Sequence, residues 1–354
     1  ADASGGPFLD GTTGPLLLLV LAVLYGGNVP LIKSIELETP LDLTAPELLF
    51  LRFATVALVV LPWAVANADK VRAVLLPAAE LAVWLFLGYA LQILALDKTS
   101  ASTCSVAAAS TGVIVQGLEF VFDGKPISPR VALFSAGTIA GIALFVTAPV
   151  VVTPGSAVQS ILDRIFSFLV PAPKLPHDAI FAGVPGEAIA LAGAVFFACH
   201  VWRCNRIISN GDSSGRLAGS DFELAIATAQ SLLAALLCAV FTLVDSPYAL
   251  GKQLDVLNRL DANTWLEIFA CGAVCTAAPA VLELFAFRVV NPALSSLIYC
   301  TIPLWGTVLG VIFLREPFGL QEVVSGIIIL VCSLTPSLLD ILSVKASEEA
   351  EKDA

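Results

Sequence analysis

Charged residues are scarce in this sequence: Asp, Glu, Lys and Arg make up 13% of its 354 residues, about half the share found in soluble domains. Methionine is absent, and histidine occurs only as His177 and His200. Strand-like alternation is missing too, so a membrane barrel is excluded. The net charge of −11 argues against a nucleic-acid partner bound through a basic patch. An ordinary soluble domain is not expected.

Hydrophobic residues make up 58% of the chain, and its mean hydropathy is +0.91. They are concentrated in ten segments, each near the roughly 20 residues needed to cross a bilayer: 15–34, 46–66, 78–97, 100–122, 129–150, 186–207, 221–245, 263–287, 291–314 and 318–340. The sequence therefore predicts an all-α polytopic membrane protein with ten transmembrane helices. An even number of spans places both termini on one side, and the Lys and Arg excess there favours the cytoplasmic or stromal side.

The sequence also lacks the signatures of catalysis. It contains no nucleophile elbow, metal-ligand cluster or phosphate-binding loop. All eight cysteines fall inside predicted spans and none forms a C-x-x-C pair, so neither a disulfide framework nor a zinc site is predicted. We expect no catalytic residues, no metal site and no enzyme activity.

Spans one to five align with spans six to ten. "VLYGGNVPLIKS" (23–34) matches "VFFACHVWRCNR" (195–206) without a gap, which places Asn28 on His200. Because each half has five spans, an odd number, the second half must insert upside down relative to the first. The expected organisation begins with an N-terminal segment (1–14) and a first five-helix repeat (15–150). A linker (151–185), a second five-helix repeat (186–340) and an acidic disordered tail (341–354) follow.

Two connections are longer than the others. The linker 151–185 contains "SAVQSILDRIFSFLV", whose apolar and polar faces predict an amphipathic helix on the membrane surface. The loop 246–262 is a weaker case. Counting the spans places both connections on the membrane face opposite the termini. Each could serve as a gating element, as a cover or as a docking surface for another protein. The first residues, "ADASGGPFLDG", are typical of a mature N-terminus after a targeting segment has been removed.

Several motifs carry a family resemblance. "LYGGNVPLIKS", "LLFLRFATVALVVLP" with Arg52 and Phe53, "LGYALQILALDKTSAS", "GEAIALAGAVFFACHVWRCNRI" and "ALSSLIYCTIPLWGTVLGVIFLREPFGLQEVVSGIII" resemble EamA-domain proteins of the drug/metabolite transporter superfamily, particularly the plastid and cyanobacterial type. The resemblance covers residues 15–150 and 186–340. The first half departs from it, since Gly112 and Lys125 stand where the second half has Pro303 and Glu316.

Polar side chains near the centre of apolar spans are the candidates for a solute pathway, because an ionisable group there costs about 2.5–3.5 kcal/mol and normally faces a cavity or a partner. Interhelical hydrogen bonds are the alternative for each. We expect the pathway to be lined by eight residues: Asn28, Tyr89, Gln92, Gln116, Glu119, His200, Glu283 and Tyr299. Glu283 and His200 are also candidates for carrying a coupling proton.

Three basic residues near span ends are expected to anchor their helices at the membrane interface: Lys33, Arg203 and Arg206. For the two arginines, contact with an anionic solute is the alternative. The lone Arg52 falls near the edge of the second span by our limits.

Two functions fit these features. The first is a secondary transporter that moves a small organic metabolite by alternating access through a central cavity between the repeats. Hydrogen-bonding groups on an apolar wall suit an amphipathic solute, and the expected contacts are this solute and membrane lipids, with no cofactor.

The second function is a non-transporting accessory or scaffold subunit of a larger membrane complex, contacted through loops 151–185 and 246–262. The resemblance and the N-terminus imply a plastid location, in thylakoid or envelope, where such a complex includes photosystem and light-harvesting proteins. His200 is then a candidate chlorophyll ligand, and carotenoid or lipid would be further cofactors.

Overall fold

The structure is a computed structural model that describes most of the apolar part of the chain. The described residues are 13–38, 44–99, 101–124, 129–146, 183–211, 217, 220–245, 258, 260–289, 298–299, 301–314, 319–321, 323–332 and 335. All regular secondary structure within them is helical.

In the part of the chain that the structure describes, six helices precede the linker: α1 (Thr13–Glu38), α2 (Ala45–Ala66), α3 (Ala68–Ala73), α4 (Leu75–Leu96), α5 (Ala101–Asp123) and α6 (Pro129–Val146). The helices α7 (Gly186–Asn210) and α8 (Ser220–Asp245) follow it. The next rod consists of α9 (Ala262–Phe269), a π-helical segment (Ala270–Ala277) and α10 (Ala278–Val289). The last two helices are α11 (Ile302–Leu314) and α12 (Val323–Cys332).

Within the described residues, six stretches of helix are long and apolar enough to cross a membrane: Gly14–Ile35, Ala45–Ala66, Leu75–Leu96, Gly186–Asn210, Ser220–Asp245 and Ala262–Ala286. Shorter apolar helices cover Ala132–Gly141, Leu304–Leu314 and Val323–Cys332. The predicted all-helical membrane class is thus confirmed for the described residues. The count of ten spans and the inverted relation of the halves stay predictions.

Local chemistry explains where several helices start. The backbone amide of Thr44 donates to the Glu47 carboxylate at 2.9 Å, which satisfies a free donor at the start of α2. At the start of α9, the hydroxyl and the amide of Thr264 donate to Asp261 Oδ1 at 2.6 and 2.9 Å. These two bonds stabilise the ionised carboxylate and lower the pKa of Asp261.

The helix α2 carries apolar side chains on both its inward and its outward face. On α2, Leu49, Phe53 and Val56 are at most 1% exposed, whereas Leu58 and Val65 are 70% and 72% exposed. Such an apolar outer surface suits contact with lipid rather than with water. The helix α4 packs between α7 and α8, α8 packs against α2, and α1 packs against α11.

Glycines permit the closest helix crossings. A Cβ atom at Gly26 of α1 would lie 2.6 Å from Trp305 Cβ and 2.8 Å from the Ile302 carbonyl oxygen, at the contact with α11. A Cβ atom at Gly88 of α4 would lie 2.7 Å from the Phe197 ring of α7. A side chain at either position would force the helices apart.

Candidate functional site

A group of polar side chains meets inside the bundle around Arg52, and we call it the arginine cluster: Asn28, Arg52, Tyr89, Cys271 and Thr276. Arg52 is 1% exposed, and its Nε donates to Thr276 Oγ1 at 2.8 Å. The Thr276 hydroxyl in turn donates to the Cys271 carbonyl oxygen at 2.7 Å. The Cys271 thiol donates to Asn28 Oδ1 at 3.3 Å. The cluster thus joins α1 and α2 to the π-helical segment.

The π-helical segment shapes this contact. The Thr276 hydroxyl bonds to the carbonyl oxygen five residues earlier, within the π-helical segment Ala270–Ala277, and π-helical turns are frequently found at functional sites. Gly272 brings the segment against α2: a Cβ atom there would lie 2.6 Å from the Arg52 carbonyl oxygen and 2.7 Å from Thr55 Cβ. The local backbone therefore holds Thr276 opposite Arg52.

The arginine cluster lies well inside the bundle. Arg52 comes seven residues after the start of α2, and Tyr89 comes seven residues before the end of α4. Asn28 lies seven residues before the end of the first apolar stretch, Gly14–Ile35. At 1.5 Å of rise per residue, Arg52 and Tyr89 are about 10 Å from these helix ends, and Asn28 is about 10 Å from the end of the apolar stretch. The ends of α1 and α4 lie together, since Lys33 Nζ donates to the Leu96 carbonyl oxygen at 2.7 Å, and α2 begins seven residues after α1 ends.

An aromatic wall adjoins the cluster. The Arg52 Cζ atom lies over the Tyr89 ring, 4.2 Å from its centroid. The Tyr89 ring makes edge contacts with Phe53 at 5.4 Å and with Phe197 at 4.9 Å between centroids. The guanidinium is therefore held by a cation–π contact on one side.

A second group surrounds an acidic residue, and we call it the tyrosine cluster: Tyr25, Glu283 and Tyr299. The Tyr25 hydroxyl donates to Glu283 Oε2 at 2.8 Å. The rings of Tyr25 and Tyr299 meet edge to face, with centroids 6.0 Å apart, and Tyr299 approaches the same carboxylate. Tyr89 is within electrostatic range of both Arg52 and Glu283, so the two clusters share one interior region.

His200 belongs to a separate contact. Its Nε2 lies 3.2 Å from Gln230 Oε1 of α8, and the two residues are 8% and 2% exposed. Asn28, its counterpart in the sequence alignment, contacts Cys271 instead. His200 follows Phe197 by about one turn on α7, and the contact with Gln230 joins α7 to α8.

The remaining predicted pathway residues lie on α4 and α5. Gln116 Oε1 accepts a hydrogen bond from the Ser135 hydroxyl of α6 at 2.9 Å, which is the interhelical alternative. Glu119 is half-buried one turn further along α5. Gln92 is half-buried on α4, and its Oε1 is buried without a hydrogen-bond partner among the described residues.

The basic residues expected at span ends bind neighbouring helices. Arg203 of α7 donates from Nε to Glu80 Oε1 and from Nη2 to Glu80 Oε2, the latter at 2.7 Å. Arg206 forms an ion pair with Asp123 at 3.0 Å, and Trp202 Nε1 donates to the same carboxylate at 2.9 Å. These pairs join α7 to α4 and α5 at the end of the bundle opposite Lys33.

The pathway predicted from the sequence leaves out three residues that make polar contacts inside the bundle: Tyr25, Arg52 and Gln230. The signal for Arg52 was present, because it is a single charge within a long apolar run. The predicted span limits put it near a span edge, whereas the structure buries it about 10 Å inside the bundle. Gln230 is a polar residue near the centre of an apolar span, and its contact with His200 is the interhelical alternative. Tyr25 carries no comparable signal.

Several predictions fall largely outside the described residues. Only 183–185 of the linker 151–185 and residues 258 and 260–262 of the loop 246–262 are described. His177 is also outside. Across the described ranges, no group of three or more His, Cys, Asp or Glu side chains is arranged to hold a metal ion.

The sequence profile of the EamA-like transporter family matches residues 12–147 and 185–335, which is most of the chain. The chain belongs to this family. Its members are transporters, which is the class expected from the sequence, and the integral membrane location follows from the family and the apolar helices together.

A solved structure titled "Crystal structure of protein" is similar to this EamA-like chain with a TM-score of 0.59 and 16% sequence identity. The match covers 93% of this chain and 97% of the other, and it shows that the two share a fold. No curated protein matches the sequence.

Proposed function

We propose that this EamA-like protein is a secondary transporter that moves a small organic solute by alternating access through its polar interior. One observation carries the proposal: the arginine cluster joins side chains of both profile-matched regions. Asn28, Arg52 and Tyr89 come from residues 12–147, and Cys271 and Thr276 come from residues 185–335. Transporters built from two repeats bind their solutes near the midplane, where the repeats meet.

The proposal includes the organisation deduced from the sequence. Two five-helix repeats, 15–150 and 186–340, insert with opposite orientation, giving ten spans and both termini on one side. The two separate profile matches support a duplicated chain. A plastid membrane, with the termini on the stromal side, remains part of the proposal on the strength of the sequence resemblance.

Alternating access requires that each end of the bundle open in turn, and the polar contacts at the two ends suit this role. One end holds the ion pairs Arg203–Glu80 and Arg206–Asp123, and the other holds the Lys33–Leu96 hydrogen bond. The side chains of Arg203 and Glu80 are 29% and 37% exposed. Partly exposed ion pairs of this kind contribute only about 0.2–1 kcal/mol, so they can break and re-form at low cost.

Glu283 is our candidate for the coupling-proton site. Its carboxylate receives the Tyr25 hydroxyl inside the bundle and can exchange a proton as the access side changes. Replacing Glu283 with Gln keeps the side-chain shape and removes the titration. We expect this variant to lose uptake driven by a proton gradient and to keep solute exchange.

The test is uptake by the purified full chain reconstituted in sealed vesicles. Vesicles are preloaded with one unlabelled solute and given the labelled form outside, for a panel of anionic, cationic, zwitterionic and neutral organic solutes. Saturable counterflow of at least one solute, absent from protein-free vesicles, is the expected result. Absence of counterflow for the whole panel, from protein that remains folded in the vesicles, would overturn transport of such solutes.

A further inference from the structure

Arg52 carries two buried nitrogens, Nη1 and Nη2, with no hydrogen-bond partner in the part of the chain that the structure describes. Its side chain is 1% exposed. A guanidinium stays charged in proteins, and a buried charge without a partner is strongly destabilising. The bundle therefore holds a strong hydrogen-bond donor for which the described residues supply no acceptor at the two terminal nitrogens.

The guanidinium is held in place from two directions. Thr276 accepts the hydrogen bond from Nε at 2.8 Å, and the Tyr89 ring lies 4.2 Å from Cζ. The ring face attracts the positive charge, and the Tyr89 hydroxyl also interacts with the guanidinium, but neither Nη1 nor Nη2 has a hydrogen-bond partner among the described residues. The fork of Nη1 and Nη2 is thus positioned before any ligand arrives, which lowers the entropy cost of binding.

The groups described around Arg52 are uncharged or otherwise engaged. Cys238, Cys271 and Cys275 lie within electrostatic range of the guanidinium. The Glu283 carboxylate belongs to the tyrosine cluster, where it receives the Tyr25 hydroxyl. An incoming anion would therefore meet a positive charge, weakly polar thiols and an aromatic wall.

We infer that Arg52 binds the oxyanion of the transported solute, a carboxylate or a phosphate, so that the solute is a small organic anion. The inference rests on the proposed function and narrows its substrate class. Arginine is suited to both groups because its parallel N–H donors pair with two oxygens at once. A free solute is favoured over a lipid headgroup, since Arg52 is buried about 10 Å from its helix end.

Direct binding to the purified full chain in detergent tests the inference. The probes are two matched pairs: benzoate with neutral benzamide, and glycerol 3-phosphate with neutral glycerol. A ligand that binds the folded state raises the unfolding temperature in proportion to the logarithm of its concentration. We expect at least one anion to raise it and its neutral partner to leave it unchanged. The pair that responds distinguishes a carboxylate from a phosphate.

Three variants assign the effect to Arg52. R52Q removes the charge and should lower the affinity for the anion by roughly 10- to 100-fold, as expected for hydrogen bonds to a charged group. R52K keeps the charge but lacks the pair of parallel N–H donors, and should lower the affinity for the anion by a smaller factor. If R52Q does not fold, R52K is the variant that tests the role of Arg52. R72Q removes one charge from the surface, where Arg72 is 76% exposed, and should leave anion binding unchanged.

Three results would overturn the inference: neutral probes that stabilise as well as the anions, anion binding that survives in the folded Arg52 variants, or stabilisation by added phosphatidylglycerol with no response to either soluble anion. Counterflow measurements separate this failure from that of the proposed function. Uptake of neutral solutes that R52Q leaves intact would retain transport and reject the anion site. Anion binding that depends on Arg52, without counterflow of any solute, would retain the site and reject transport.

Discussion

Three arginines in the helices of this protein have different environments. Arg203 and Arg206 each have a carboxylate partner near one end of the bundle. Arg52 has a threonine hydroxyl and a tyrosine ring, but no carboxylate bonded to its terminal nitrogens among the described residues. The two paired arginines join neighbouring helices, whereas the two donors that Arg52 leaves without a described partner are the basis of the proposed anion site.

The Arg203–Glu80 pair should contribute little to stability. A double-mutant cycle with R203Q and E80Q should give a coupling free energy of about 0.2–1 kcal/mol, because both side chains are partly exposed and screened. The measurement is the free energy of unfolding of the four proteins in mild detergent. The surface pair Arg72–Asp69, separated by 3.7 Å and with exposed side chains, is the matched control and should show no coupling. A coupling free energy for Arg203–Glu80 well above this range would show that the pair stabilises this end of the bundle strongly, and it would contradict easy opening there.

At the scale of helices, the π-helical segment positions the arginine cluster. It widens one turn between α9 and α10, and it places Thr276 against α2 with Gly272 at the contact. A regular α-helix through the same residues would rotate everything beyond the turn and move Thr276 away from Arg52.

The variant G272A should destabilise the protein. The added Cβ atom would meet backbone and Cβ atoms of α2 at 2.6 and 2.7 Å, and such overpacking costs about 1–3 kcal/mol. The control is G117A on α5, where nothing lies within 4 Å of the added atom; it should be neutral or slightly stabilising, because alanine favours a helix over glycine. Unfolding in detergent compares the two. Equal stabilities would contradict the close contact between the segment and α2.

At the scale of the whole molecule, the predicted ten spans have a direct test. Cleavable tags are placed at both termini of the full chain, which is then reconstituted in sealed vesicles and treated with an external protease. Each molecule should lose both tags or neither, since an even number of spans puts the termini on one side. A third tag in residues 39–43, between α1 and α2, should survive wherever the terminal tags are cleaved. Molecules that lose a single terminal tag would show an odd number of spans.

The class of this protein and most of its helices follow from the amino-acid sequence alone. Long apolar runs cross a membrane only as helices, since lipid supplies no hydrogen-bond partners to the backbone. For this reason, predicted spans such as 46–66 and 221–245 lie within one residue of the helices Ala45–Ala66 and Ser220–Asp245. The duplicated motifs likewise pointed to the EamA-like family, which the profile match confirms.

Which side chains meet depends on helix packing and could not be predicted from the sequence. In a soluble helix the polar face marks the outside, but here Leu49 is buried and Leu58 is 70% exposed on the same apolar helix. Hydropathy therefore carries little information about the inner face. The contacts of Arg52 with Thr276, Tyr25 with Glu283 and His200 with Gln230 join residues 224, 258 and 30 positions apart. Such contacts depend on how the helices pack, and no local pattern in the sequence encodes them.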